Sequence, residues 1–191
     1  DAEACALRAG FRDRLFPVVF GFVNDLKHFR SRAPDFFRLL PGELTGVYTS
    51  KSFDDGLSGR FDGSDFELCE AELVFQTSNS PDKVAFRGVI LSLILSRPFA
   101  GRLFGTSRIG GVAKWVRDTF QANGLVEIAS GNKVLDDAYE FRTSNPDAAG
   151  PLLTGPLQRA FEFALENWGG KAIRLGLVDD RCFLLLPTEQ G

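Results

Sequence analysis

The stretch Val84-Ala85-Phe86-Arg87-Gly88-Val89-Ile90-Leu91-Ser92-Leu93-Ile94-Leu95 decides how this chain folds, being its longest nearly unbroken apolar run with turn residues on both sides. It is too short to cross a bilayer as a helix. Its β-branched Val and Ile, with Asn79-Ser80-Pro81-Asp82 ahead and Arg97-Pro98 behind, specify a strand. From Gly88 onward both alternating faces are apolar apart from Ser92, so sheet neighbours and a second layer must cover it.

Working outward, residues 66–76 form the preceding strand. Cys69, Ala71, Leu73 and Phe75 alternate with Glu70, Glu72, Val74 and Gln76, while Phe66 and Leu68 fall on the opposite parity, which predicts a bulge near Leu68. Asp62-Gly63 is a turn signal joining it to a short strand at 57–61. After the central run, short strands are predicted at 102–106, 125–129 and 139–142, with a helix between whose face is Val112, Trp115, Val116 and Phe120. A late helix shows Leu157, Ala160, Phe161, Ala164, Leu165 and Trp168 on one face, with Pro156 at its start and Gly169-Gly170 at its end. A terminal hairpin turns at Asp179-Asp180. At the other end, Phe11, Leu15, Val18, Val19, Phe22, Leu26 and Phe29 make a helical stripe, with Pro17 as a kink or a second helix start.

The expected fold is therefore α+β: an N-terminal helical segment, an antiparallel sheet centred on residues 84–95, a late amphipathic helix and a C-terminal β-hairpin. With 191 residues and 44% hydrophobic content the chain suits a single domain, 1–191, divisible at most into lobes 1–111 and 112–191. A net charge of -3 leaves no global basic field, so nucleic acid is not an expected partner. Three cysteines, Cys5, Cys69 and Cys182, cannot all pair, and two sit in predicted strands as small hydrophobes. The absence of methionine and a start at Asp1 lead to the expectation of a removed upstream segment.

Several patterns invite chemistry. Asp54, Asp55, Asp62 and Asp65, interleaved with glycines, could supply oxygen ligands to a hard cation, yet their spacing fits no EF-hand and turns also require Asp and Gly. Glu70 and Glu72 share a strand face and could serve as paired carboxylates. With Asp54, Asp62 and Asp65 they make up the one candidate metal or hydrolytic set. The glycine-rich segment 105–111 lacks the Lys and Ser/Thr of a phosphate loop. His28 is the only histidine, which excludes a multi-histidine metal site, and its plainer place is a helix surface. No cysteine pair has metal spacing and no nucleophile elbow is present. Trp115 and Trp168 fit core anchors better than stacking platforms. Arg97, Arg102 and Arg108 could together attract a lipid headgroup.

The order Phe66-Glu67-Leu68 with Glu70 and Leu73, then Phe86-Arg87-Gly88-Val89 with Phe99 and Gly101, then Tyr139-Glu140-Phe141, resembles the bacterial family called domain of unknown function 3137. Asp147-Ala148, Leu152-Leu153-Thr154 and the 157–165 helix continue the likeness, with Gly155 inserted before Pro156 where the family pattern has leucine-leucine-threonine-proline. The resemblance implies a soluble region of a membrane-associated protein, anchored by an upstream segment and facing the cytoplasm. It brings no catalytic residues and no cofactor. The expected function is a non-catalytic module binding a protein or small ligand; the alternatives are a metal-assisted hydrolase using the carboxylates above, or lipid-headgroup binding.

Overall fold

The computed structural model describes residues 21–77, 80–108, 124–168 and 171–188. In chain order come β1 (Asn24–Arg30), a 3-10 turn (Asp35–Leu39), α1 (Gly42–Thr45), β2 (Ser50–Phe61), β3 (Ser64–Thr77), β4 (Ser80–Ile94) and β5 (Arg102–Ser107). Then follow β6 (Val126–Glu127), α2 (Lys133–Ala138), β7 (Tyr139–Thr143), α3 (Pro146–Leu153), α4 (Pro156–Trp168), β8 (Arg174–Val178) and β9 (Arg181–Pro187). The described strands form one antiparallel sheet in the order β1-β2-β3-β4-β9-β8-β5-β7-β6. The fold is thus mixed but strand-dominated, with the run read first, now in β4, well inside the sheet.

The N-terminal helix is corrected where it can be seen: residues 24–30 are an edge strand. Phe22, Leu26 and Phe29 satisfy a helical period by coincidence, whereas in the strand Phe29 and Leu26 point to opposite faces. Phe29 is buried because its ring lies across Gly56 of β2, where a Cβ would come within 2.1 Å of it. Residues 11–20 of that stripe, and the predicted helix over 112–120, lie outside the described residues. The bulge expected near Leu68 is also absent from the described sheet. Leu68 pairs in register with Leu57 and Leu91, and Phe66 with Gly59 and Leu93, so both residues belong to a second face that is itself apolar. Irregularities fall instead between Phe53 and Gly56 in β2 and between Leu73 and Thr77 in β3.

The two faces carry separate cores. On the first, Phe36, Phe37 and Leu44, delivered by the 3-10 turn and α1, cover Cys69, Leu73, Phe86, Ile90, Phe104, Phe183 and Leu185. On the second, α2, α3 and α4 cover Leu103, Tyr139, Phe141, Leu175 and Leu177 with Leu135, Ala149, Leu153 and Phe161. Each fully buried Phe or Leu contributes about 1.5–3 kcal/mol of transfer free energy. Local sequence sets the helical layer: Asn132 accepts a hydrogen bond from the Val134 N–H (3.0 Å), and Asn145 from the Ala148 N–H (3.2 Å), with Pro146 in the first turn. α4 is laid directly on the sheet because β5 has Gly105 beneath it; a Cβ there would sit 2.5 Å from the Phe161 ring.

β8 and β9 lie between β4 and β5, so the second half of the chain is built into the sheet of the first. Arg174, at the start of β8, is 3% exposed and reaches through the first core. Its guanidinium donates to the carbonyls of Leu44 in α1 and Ala85 in β4 and lies over the Phe86 ring. Burial lowers its pKa to about 10. Among the described residues no helix is long and apolar enough to cross a membrane.

Candidate functional site

The sheet register assembles a polar row on the first face, beside its apolar core. Lys27 of β1 stands opposite Ser58 of β2, Ser58 opposite Glu67 of β3, Glu67 opposite Ser92 of β4, and Ser92 opposite Phe183 of β9. These side chains share the face of Cys69 and Ile90, and the row forms the floor of a cleft of about 510 Å³. Its margins are Asp25, Arg60, Asp65 and Arg181.

Each polar group has a physical place. Arg60 and Asp65 pair across the hairpin at 2.9 Å, an exposed contact of the kind that adds little to stability. Ser92 is 1% exposed, and its hydroxyl accepts a hydrogen bond from Arg181 Nη1 at 3.2 Å. Asp25 has a left-handed backbone (φ 54°) where β1 meets β2 irregularly. Glu67 is half-buried, and its Oε1 accepts from the Asp35 N–H at 3.4 Å. Burial raises the Glu67 pKa above the ordinary carboxyl range, outweighing the Asp35 and Phe36 N–H groups that favour its ionised form.

That raised pKa has a consequence for stability. The folded state holds the Glu67 proton to a higher pH than the unfolded chain does. This contribution is therefore fully present below the unfolded value and is lost as pH rises through the folded one. Glu67→Gln, which keeps an acceptor for the Asp35 N–H, is expected to melt higher than wild type at pH 7. Near pH 4 the two should converge. Melting curves at both pH values check this, and a variant less stable at pH 7 would contradict it.

The residues singled out from sequence are distributed differently. Asp54, Glu70 and Glu72 line a separate depression of about 440 Å³, with Ser52, Arg87 and Thr188. Glu70, Glu72 and Arg87 place it on the second face. There Glu72 pairs with Arg87 and Asp54 with Arg30 (3.2 Å). Asp65 belongs to the first-face cleft instead, and Asp62 sits at the tip of the β2–β3 turn with φ 48° beside Gly63. The five carboxylates do not share one site, and among the described residues no three of His, Cys, Asp and Glu gather closely enough to hold a metal. His28 is a strand residue, hydrogen-bonded to Asp55 at 3.0 Å. Arg102 pairs with the buried Glu43 at 2.6 Å and Arg108 with Glu127 at 3.0 Å, from opposite ends of β5, so they do not form a common basic patch. The Cys69 and Cys182 thiols are each pushed up to about 12 by burial, which makes them inert rather than nucleophilic. Trp168 meets Phe163 edge-on beside a small apolar cavity under α4.

Glu67 is not among the carboxylates that sequence spacing singles out, although the strand pattern carries a signal for it. It shares the parity of Cys69, Ala71 and Leu73, so it is a carboxylate on the core-facing side of its strand. Ser92, the one polar exception in the apolar run, is its neighbour. Arrayed in this way, the cleft offers hydroxyls, the Glu67 carboxylate and margins of both charges to a polar molecule. No family model, curated protein or solved structure matches the chain.

Proposed function

We propose that this chain is a non-catalytic binding module whose ligand is a small polar molecule held in the first-face cleft. One observation carries the reading: a half-buried carboxylate, Glu67, stands in a registered polar row beside the apolar core of the first sheet face. Burying a carboxylate on a core-facing position costs stability that the Asp35 N–H only partly offsets, and the cleft that Glu67 lines has room for a ligand. The acidic depression on the second face supports the hydrolase alternative less well, since Arg30 and Arg87 already neutralise two of its carboxylates.

The test is a thermal-shift screen of small polar metabolites on wild type and on Glu67→Leu. At least one compound is expected to raise the wild-type melting temperature and to leave the variant unmoved. Stabilisers acting equally on both proteins, or a requirement for a divalent cation together with Asp54 or Glu70, would overturn the assignment in favour of the second-face depression.

A further inference from the structure

We infer that the second face of the sheet is a docking surface for the chain's own N-terminal segment, residues 11–20, laid across β1 to β4 beside α4. This inference is independent of the first-face cleft. It starts from a registered apolar row: Leu57 of β2 stands opposite Leu68 of β3, Leu68 opposite Leu91 of β4, and Leu91 opposite Leu184 of β9. Two residues along the strands, Phe66 stands opposite Leu93. Leu57, Phe66, Leu68, Leu91 and Leu93 are only partly buried, and none of them belongs to either described core. The helices α2, α3 and α4 cover the other half of this face, over β5, β7 and β8. Between α4 and β9 lies an apolar cavity of about 260 Å³, with the exposed Phe163 and Trp168 on one side and Leu184 on the other. A sheet face of antiparallel strands that met water would alternate to polar residues, so this row calls for a second layer.

The chain enters that face from the side away from α4. Val23 lies over Gly59 of β2, where a Cβ would come within 2.7 Å of its Cγ1, and the Phe22 ring meets that of Phe61 edge-on at 5.8 Å. Gly59 and Phe61 share the parity of Leu57, so Phe22 and Val23 sit on the second face and the residues before them are delivered to it. Upstream, Phe11, Leu15, Val18 and Val19 keep the spacing of one helical face that runs on to Phe22, with Arg12 and Arg14 off it. As a helix those residues span about 15 Å, and a break at Pro17 only lengthens their reach. The four strand spacings from β1 to β9 amount to about 19 Å, so the segment matches the width of the bare strands. The tether decides the occupant. With Phe22 seated on Phe61, the segment faces the leucine row at an effective concentration of about millimolar, which a second copy or another protein would have to exceed.

Hydrogen exchange on the full chain tests this. A helix this short is marginal in water by itself, so protection of its amides reports docking. Amides within 11–20 are expected to exchange at least tenfold more slowly than in a free peptide of the same sequence. Combining Leu15→Ser with Val18→Ser should abolish that protection while the amides of β5 and β8 keep theirs. Thiol labelling reads the sheet side: in a chain carrying Cys5→Ser and Leu68→Cys, the two serine substitutions should raise the rate of maleimide modification at residue 68 at least tenfold. Leu15→Gln alone replaces the pair if the doubly substituted chain melts far below wild type. Exchange of 11–20 as fast as in the free peptide, or a labelling rate indifferent to the substitutions, would overturn the assignment. Protection that rises with protein concentration would also overturn it, giving the face to a second copy.

Discussion

Phe161→Ala is expected to lower the stability of the domain by about 3–5 kcal/mol, the range for truncating a buried aromatic. Phe161 is 3% exposed at the middle of α4, and its ring lies 4.7 Å from that of Tyr139 and 5.0 Å from that of Phe141. It fills the space left by Gly105, so the ring is keyed to one strand from above and to a second strand from the side. Alanine would leave a cavity that Gly105, having no side chain, cannot fill. For a chain of this size each kcal/mol moves the melting temperature by roughly 2–4 °C, so a fall of about 10 °C is anticipated. Phe163→Ala, at a position 57% exposed two residues away, and Gln158→Ala should change it little. Equal denaturation midpoints for Phe161→Ala and these controls would refute the placement of α4.

The second large effect belongs to Arg174→Met. Methionine keeps much of the length and apolar contact of the arginine stem but removes both hydrogen bonds, leaving the Leu44 and Ala85 carbonyls without their donor. An unsatisfied buried acceptor costs about 1–3 kcal/mol, so a loss of roughly 2–5 kcal/mol is expected for the pair. Against this stands the desolvation of the guanidinium, visible in its lowered pKa, which the substitution relieves. The carbonyls decide the sign, because Leu44 is fully buried in the packed layer and Ala85 half-buried at its edge. Arg174→Lys should fall between, since one ammonium cannot serve two carbonyls with a fixed fork. Urea unfolding checks the order, and an Arg174→Met variant as stable as wild type would show that the desolvation outweighs the bonds.

Those two residues also mark how far the sequence could be read. Phe161 was legible: its helix has a clean 3.6-residue stripe, a proline start and a glycine stop, and the structure places α4 at Pro156–Trp168. The central run was legible for the same reason, since an apolar segment bounded by turns has few alternatives. Arg174 was not, because nothing local distinguishes an arginine that enters a core from one that faces water. It alternates with Ile173 and Leu175 in a manner that any half-exposed strand would show. β1 misled because an edge strand with Leu26 on one face and Phe29 on the other can imitate a helical stripe over so few residues. α2 escaped notice because its six residues contain little apolar period, and its start is fixed by the Asn132 cap. The acidic set is close in sequence, but adjacent residues of a strand point to opposite faces, and this divides Asp65 from Glu70 and Glu72. The cleft depends on pairings across five strands, which become visible only when the register is known.

The position of β8 and β9 governs the order in which the molecule can be made. Strands β1 to β4 form a continuous meander as they leave the ribosome, and β5 and β7 can pair with each other, but within the described sheet the two groups touch only through the last hairpin. Until residues 174–187 have been synthesised, β4 and β5 each present an unpaired backbone edge to the surroundings. Joining them closes long loops late, which slows folding and lengthens that exposure. A nascent chain stalled before Arg174 should therefore be a substrate for chaperones and aggregation, whereas one stalled just after release of β9 should already resist proteolysis.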